Sequence, residues 1–218
     1  APELVAAIEE VPLAPPLLDT TALAQRLAAS GDTAAAWPAL LAGWDAPAEI
    51  ISDPGATCVA VLAPGLYCTA GQGRLDKLQT LARPALLSLQ HDGKTHWVRL
   101  DGVDTTRVRL QLDDNNVDAT RNAIDTLWDG TFASVWRGPD SLATLLQTSV
   151  VDDASRAWIN ARLGLEPGAS RQQLQSALQR FQSARGLAAD GIPGPETLMA
   201  LAASEPGPRL QRSLDRED

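Results

Sequence analysis

The pattern of apolar and polar positions changes twice along the chain and divides it into three parts. In the first part, apolar residues recur at helical spacing after Asp19, a good N-cap residue, and continue to Gly31. A second helix is predicted in "AAAWPALLAGW" (34–44), where four large apolar residues share one side: Trp37, Leu40, Leu41 and Trp44. The first part is therefore expected to be helical.

The middle part replaces helical spacing by alternation. Three segments alternate apolar and polar positions and are separated by Asp-Gly turns, which predicts an antiparallel meander over 84–90, 95–102 and 106–114. Residues 121–130 are typical of a short helix or turn, and residues 131–139 of a closing strand. Helices followed by a meander predict the α+β fold class.

The last part returns to helical spacing in three segments, namely 155–164, 170–186 and 195–203. The second segment carries an apolar stripe suited to a core, formed by Leu174, Leu178 and Phe181. Ser170 is suited to its N-cap, and Gly186 to its C-terminal stop. The pattern predicts a small domain of three helices.

Five segments follow from these patterns: a Pro-rich linker (1–19), the α+β domain (20–139), a bridge (140–148), the three-helix domain (149–203) and a flexible charged tail (204–218). The beginning lacks an initiating methionine and a basic region, so it does not resemble a signal peptide. We interpret the chain as a fragment of a longer protein. No apolar run reaches the roughly eighteen residues that a membrane helix needs.

Charge argues against one class of partner. The formal net charge is −9, and Lys and Arg form no cluster of the kind that a phosphate backbone selects. Nucleic acid is therefore not an expected partner. Residues 149–203 carry equal numbers of acidic and basic side chains, which leaves both glycan binding and protein contact open for them.

The two cysteines, Cys58 and Cys68, flank a Pro64-Gly65 turn signal that could fold the segment back on itself. A disulfide would imply an oxidising compartment, whereas two buried free thiols would act as small apolar side chains. Because the chain has only these two cysteines, the sequence favours a Cys58–Cys68 disulfide over two free thiols.

Catalytic and metal-binding motifs are not found in the sequence. His91 and His96 lack the HExxH spacing of a zinc site, and the nucleophile and nucleotide signatures GxSxG, GxxxxGK[ST] and GxGxxG do not occur. The pair Asp113-Asp114 is more typical of a turn than of a glycosidase. Neither a metal nor a cofactor is expected.

Residues 181–201 resemble the "FQ…GL..DG..G..T...L" pattern of the three-helix peptidoglycan-binding domain, and "AWINARLG" is similar to that family's first helix. The resemblance implies that the three-helix domain binds peptidoglycan. The polar side chains nominated for ligand contact are Arg180, Gln182, Arg185 and Asp190.

Residues 32–138 resemble the papain-like peptidases that remove leader peptides from bacteriocins. "DTAAAWPALLAGWD" is similar to the helix that carries the nucleophile, which places Asp32 at that position. "THWVRLDG" is similar to the strand of the catalytic histidine, so His96 matches it, and Asp113 or Asp114 matches the acidic partner. Because that mechanism needs a thiolate, the resemblance implies an inactive peptidase domain.

The order of these parts, with the ending "W.G.F..VWR.P" (128–139), resembles the C-terminal periplasmic region of the type II secretion A proteins, the ExeA/GspA-type ATPases. The resemblance implies a periplasmic region of an inner-membrane protein in a Gram-negative bacterium. Its expected role is non-catalytic: it anchors the complex to peptidoglycan and aids secretin assembly. The implied partners are peptidoglycan, the B component, the secretin and further copies of the chain.

Two other functions remain open on the sequence. The chain could be a wall-targeted hydrolase or peptidase, which would require a nucleophile or metal set in the larger domain. It could also be a protein-interaction module whose three-helix domain no longer binds glycan, because a fold can be retained after its ligand-binding function is lost.

Overall fold

The structure, a computed structural model, describes residues 17–30, 35–53 and 57–214. The α+β domain contains, in chain order, β1 (Leu17–Leu18), α1 (Thr20–Ala29), α2 (Ala36–Ala42), α3 (Ala48–Ser52), β2 (Val61–Ala63), β3 (Leu66–Gln72), α4 (Leu75–Leu81), β4 (Ala85–His91), β5 (Lys94–Val103), β6 (Arg107–Leu112), β7 (Asn115–Thr120), α5 (Arg121–Leu127), β8 (Trp128–Arg137) and α6 (Leu142–Thr148). The helical region contains α7 (Asp153–Arg162), α8 (Arg171–Ala184), α9 (Pro195–Leu201) and a 3₁₀ turn (Ala202–Ser204). Among the described residues, no helix combines the length and apolarity needed to cross a membrane.

One mixed sheet forms the frame of the α+β domain. Its strand order, within the described residues, is β1-β7-β6-β5-β4-β8-β3-β2. Strands β4, β5 and β6 form the predicted antiparallel meander. The sequence pattern did not predict β7, which extends the meander by a fourth strand, and β1 pairs with β7 in parallel. The hairpin turns Asp92-Gly93 and Asp113-Asp114 have positive φ at both residues, as type I′ turns require. The predicted α+β fold class and its meander are confirmed.

Aromatic residues near the end of β8 close the core. Trp136 is fully buried, and its indole Nε1 donates a hydrogen bond to Thr69 Oγ1 at 2.9 Å. The ring of Tyr67 lies 4.8 Å from the Trp136 ring, and its hydroxyl donates to the Pro139 carbonyl oxygen at 2.7 Å. Burial, and then the charge of Asp140, raise the pKa of Tyr67 to about 12. Each aromatic group therefore has a partner for its polar end.

A disulfide joins Cys58 to Cys68, which confirms the predicted pairing. The chain folds back between β2 and β3, where Gly65 takes a φ of +68°. The bond ties the segment before β2 to the buried strand β3.

Replacing both cysteines by serine is expected to lower the free energy of unfolding by about 2–3 kcal/mol, because the unfolded chain regains the freedom of the closed loop. Urea unfolding of the two proteins measures the difference. Reducing the wild-type protein should shift its midpoint towards that of the double variant. An unchanged midpoint in both cases would contradict the prediction.

The helical region follows the capping signals of its sequence. Ser170 accepts a hydrogen bond from the backbone amide of Gln173, and the Gln173 side chain accepts one from the Ser170 amide, which forms a capping box. Gly186 follows α8 with a φ of +64°, and Gly194 and Pro195 open α9. These starts and stops agree with the predicted ones.

The segment after α9 packs along the α+β domain. Leu210 is buried, and Gln211 forms a parallel β-bridge with Gly102 of β5. The prediction of a flexible tail over 204–218 is therefore wrong for residues 204–214. Its last four residues lie outside those that the structure describes.

The predicted linker and bridge also differ from the structure. Leu17 and Leu18 belong to the sheet rather than to a linker, while residues 1–16 lie outside the described part. Most of the bridge (140–148) is helix α6, with Leu142 and Leu145 buried against the domain. Leu18 of β1 packs against the core, whereas Leu17 is 55% exposed.

Candidate functional site

The loop between α8 and α9 is organised around the side chain of Gln182. This residue is only 1% exposed, and its amide Nε2 lies 2.9 Å from Asp190 Oδ1 and 2.9 Å from the Ile192 carbonyl oxygen. Nε2 also lies 3.0 Å from Thr197 Oγ1, while the backbone amide of Gly191 donates to Gln182 Oε1 at 2.8 Å. One buried amide therefore joins α8, the loop and α9.

Asp190 is the second fixed point of this loop. Its Oδ1 accepts a hydrogen bond from the Ile192 backbone amide at 2.8 Å as well as the one from Gln182. These bonds, the Ile192 amide foremost, lower the pKa of Asp190 below its ordinary value of 3.8. Gly191 has a φ of +75°, and a Cβ there would lie 2.6 Å from Gln175 Cγ. The loop is thus held in one conformation with an ionised carboxylate at neutral pH.

A shallow depression of about 190 Å³ opens beside this loop. We call it the loop depression; Leu187, Asp190, Ile192, Glu196 and Thr197 are among its lining residues. The side chain of Ile192 is 61% exposed, and Glu196 is held at 3.0 Å from Lys77 Nζ of α4. The exposed apolar side chain can contact a methyl group, and the two carboxylates can accept hydrogen bonds from hydroxyls and amides.

The structure brings together two of the four nominated contact residues, Gln182 and Asp190. Gln182 lines the loop depression, but its amide is already bonded within the protein, so its observed role is to shape the loop. Arg185 lies at the end of α8 with its guanidinium 5.1 Å from the Phe181 ring. Arg180 is exposed on α8 and lines neither the loop depression nor the other described cavities. Ligand contact by these residues stays a prediction.

Ile192 and Glu196 are the lining residues that the sequence reasoning missed. An exposed isoleucine in "DGIPG" reads as core, because most large aliphatic side chains are buried. Glu196 reads as an ordinary acidic residue in a first helical turn. A signal was available for Gln182, since it follows Leu178 by four residues and so continues the buried side of α8.

A second cleft, of about 260 Å³, lies where β5 and the end of β6 meet α2. It is lined by His96 of β5 and by Asp113 of the following turn, beside Ala36 at the start of α2. Asp32 lies outside the described residues. The structure therefore places two of the three peptidase-like positions at one cleft.

Polar groups also line the wall of this cleft. Arg99 donates to the Ala39 carbonyl oxygen at 2.9 Å and forms a two-bond ion pair with Asp101, with both N–O distances 2.8 Å. Gln111 Oε1 is buried and has no hydrogen-bond partner among the described residues. Helix α2 is thus fixed against β5, and the cleft keeps one unused acceptor.

Comparison with known proteins identifies the class of the helical region. Residues 161–201 match the family described as "Putative peptidoglycan binding domain", and this range contains α8, the loop and α9. The match confirms the resemblance to the peptidoglycan-binding domain. Over 171 residues the chain is 29% identical to "General secretion pathway protein A" of Aeromonas hydrophila. That alignment covers 74% of this chain and 31% of the relative, so the chain spans about a third of the relative's length.

The fold is also similar to a solved structure. This is the "Crystal structure of a periplasmic domain of the EpsAB fusion protein of the Vibrio vulnificus type II secretion system". The TM-score is 0.50 at 22% sequence identity, and the superposition covers 84% of this chain and 83% of that one. At this identity the similarity is one of fold.

Proposed function

We propose that this chain is a non-catalytic periplasmic module that binds peptidoglycan and holds a type II secretion assembly at the cell wall. The loop depression is the proposed contact site. Asp190, Ile192 and Glu196 would contact the ligand, and Gln182 would hold the loop in shape. The proposal assigns the chain no bond-breaking step.

The observation that carries the proposal is the coincidence of the family match with a preorganised loop. Residues 161–201 match a family described by peptidoglycan binding, and within that range the loop is fixed by the Gln182 amide and by Gly191. A loop that is already ordered loses little conformational freedom when a ligand binds. An open, partly polar depression fits a polymer better than an enclosed small molecule.

We infer that the larger domain is a papain-like fold that has lost its peptidase activity. His96 and Asp113 share a cleft beside α2, as that fold would require of a histidine and its acidic partner. Both cysteines of the chain are joined in a disulfide, so neither offers the thiolate that the reaction needs. The cleft would then serve as a surface for binding rather than for cleavage.

We extend the proposal to the assembly that the similar proteins belong to. One relative is named as a general secretion pathway protein A, and the similar structure is a periplasmic domain of an AB fusion protein from a type II secretion system. A periplasmic location, the B component as a partner, and contacts with the secretin and with further copies of the chain are the corresponding expectations.

The test is sedimentation of the whole chain with purified, insoluble peptidoglycan sacculi, with released muropeptides measured in the supernatant. We expect the chain to pellet with the sacculi and no muropeptide to be released. Ile192→Asp should reduce pelleting at least fivefold, because it places a third carboxylate in the loop depression. Val150→Asp is the matched control, since Val150 is also an exposed apolar residue but lies outside the loop depression.

The outcomes separate the three functions. Pelleting with muropeptide release would support the wall hydrolase. A wild-type chain that stays in the supernatant would overturn the wall-binding proposal and favour a protein-interaction module. Equal pelleting of the Ile192→Asp and Val150→Asp variants would move the contact site away from the loop depression.

A further inference from the structure

A wide polar cleft of about 540 Å³ lies where the helical region meets the α+β domain. We call it the junction cleft. Three segments line it: Asp76, Gln79 and Thr80 of α4, Ala184 and Arg185 at the end of α8, and Arg212 of the C-terminal segment. Its walls therefore come from both domains.

Two guanidinium groups face this cleft without a carboxylate partner among the described residues. Arg185 is placed by the Phe181 ring, and Arg212 Nη2 donates to the Gln79 carbonyl oxygen at 3.0 Å. The cleft's own carboxylate, Asp76, is paired with Arg121 at 2.7 Å. Both Arg185 and Arg212 thus keep donors for an anion from outside the chain.

The junction cleft and the loop depression are neighbours. Arg185 lines the cleft, and Leu187, two residues later, lines the depression. On α4, Asp76 lines the cleft while the next residue, Lys77, is paired with Glu196 in the depression. A polymer that lies in the depression can therefore extend into the cleft.

The charges of the two sites are opposite. The carboxylate of Asp190 makes the loop depression unfavourable for an anion, since that of Glu196 is paired with Lys77, whereas the arginines of the junction cleft favour one. A planar guanidinium pairs with a carboxylate through two parallel hydrogen bonds. In peptidoglycan the peptide stems carry free carboxylates, while the sugar rings of the glycan are neutral.

We propose that Arg185 and Arg212 bind carboxylates of the peptide stems in the junction cleft, so that the wall site is composed of both domains. This rests on the proposed wall binding. The glycan, or the neutral part of a stem, then lies in the loop depression. The C-terminal segment contributes a binding residue as well as a packing contact.

The test compares the whole wild-type chain with Arg212→Gln, Arg185→Gln and the double variant, using soluble muropeptides with intact stems. The probe for the control titration is the same muropeptides with their carboxylates converted to amides. We expect each single variant to weaken binding by up to about fivefold, the upper end for an exposed ion pair. Binding by wild type should also fall as salt is raised, and amidation should remove the difference between wild type and variants.

Arg171→Gln is the matched control, because Arg171 is an exposed arginine of α8 that lines neither site. The Lys variants at 185 and 212 keep the charge and should recover part of the affinity. Thermal midpoints show whether each variant is folded. If Arg212→Gln binds muropeptides as tightly as the wild type does, the two-domain site is overturned and the proposal of wall binding still stands. Failure of the wild type to bind sacculi or muropeptides would overturn both proposals.

Discussion

Arg83→Leu is expected to lower the free energy of unfolding by about 3–5 kcal/mol, because it leaves four buried or partly buried carbonyl groups without this donor. Arg83 is 1% exposed and precedes β4. Its Nη1 donates to the carbonyl oxygens of Gly207 and Pro208, at 3.3 and 3.0 Å. Its Nη2 donates to those of Ala202 and Glu205, at 3.2 and 2.6 Å.

The same substitution should release the C-terminal segment from the α+β domain. Arg83 also lies 5.3 Å from the Trp44 ring, and burial lowers its pKa to about 10, which leaves it protonated at neutral pH. Trypsin should then cleave after Arg209 and Arg212 much faster than in the wild type. Truncation before residue 202 would leave the Arg83 guanidinium without these carbonyl groups, so point variants are the better tools for this protein.

The measurement is urea unfolding together with limited trypsin digestion. Arg26→Leu provides the same chemical change at an exposed position of α1 and should alter stability by less than about 0.5 kcal/mol. Arg83→Lys keeps the charge but reaches fewer carbonyl groups and should fall between the two. If Arg83→Leu and Arg26→Leu unfold at the same urea concentration, the buried guanidinium does not hold the two domains together.

Gln182→Leu has the second large effect that we expect, a loss of about 2–4 kcal/mol with a loss of retention by sacculi. The leucine fills much the same volume but bonds to none of the groups that the amide now joins: Asp190, Gly191, Ile192 and Thr197. Unpaired polar groups at a partly buried site each cost about 1–3 kcal/mol, reduced where water can reach them. The loop would lose the conformation that forms the depression.

Thr197→Val is the matched control for this variant, since it removes one of these contacts and should cost about 1 kcal/mol. Both variants are measured by urea unfolding and by sedimentation with sacculi. A Gln182→Leu protein that is as stable as the wild type, or that pellets as well, would show that the buried amide does not set the shape of the site.

The meander was most readily predictable at β6, because this strand is buried on one side only. In β6, Val108, Leu110 and Leu112 are buried and alternate with half-buried polar residues, so the alternation is visible in the amino-acid sequence. Strand β3 begins with four consecutive buried residues and shows no such alternation. On one side β3 pairs with β8, a strand far away in the sequence, and local spacing does not reveal that pairing.

The C-terminal segment was mispredicted for a related reason. Its prolines and charges are typical of a frayed tail, and its buried residues, Leu210 and Leu214, are few. The segment is held by hydrogen bonds from Arg83, which is far away in the sequence, and by the β-bridge between Gln211 and Gly102 of β5. A contact between residues more than a hundred positions apart leaves no periodic signal.

At the candidate site, the motif predicts the loop between α8 and α9 but not which side chains line the loop depression. The "FQ" and "DG" positions of the motif predict the loop. Gln182, however, is predicted to contact the ligand, and its side chain is buried. The exposed residues that line the depression, Ile192 and Glu196, follow from how the loop turns at Gly191. Which side chains face the depression depends on the conformation of the folded loop, and a single sequence does not reveal that conformation.

The most direct test of the proposed wall contact is an NMR titration of the whole chain with soluble muropeptides, followed through the backbone amide shifts. Our account predicts that the largest shifts fall in residues 187–197, around the loop depression, with further shifts at Arg185 and Arg212. Shifts confined to the cleft of His96 and Asp113 would contradict it, because the ligand would then occupy the peptidase-like cleft instead of the wall-binding loop.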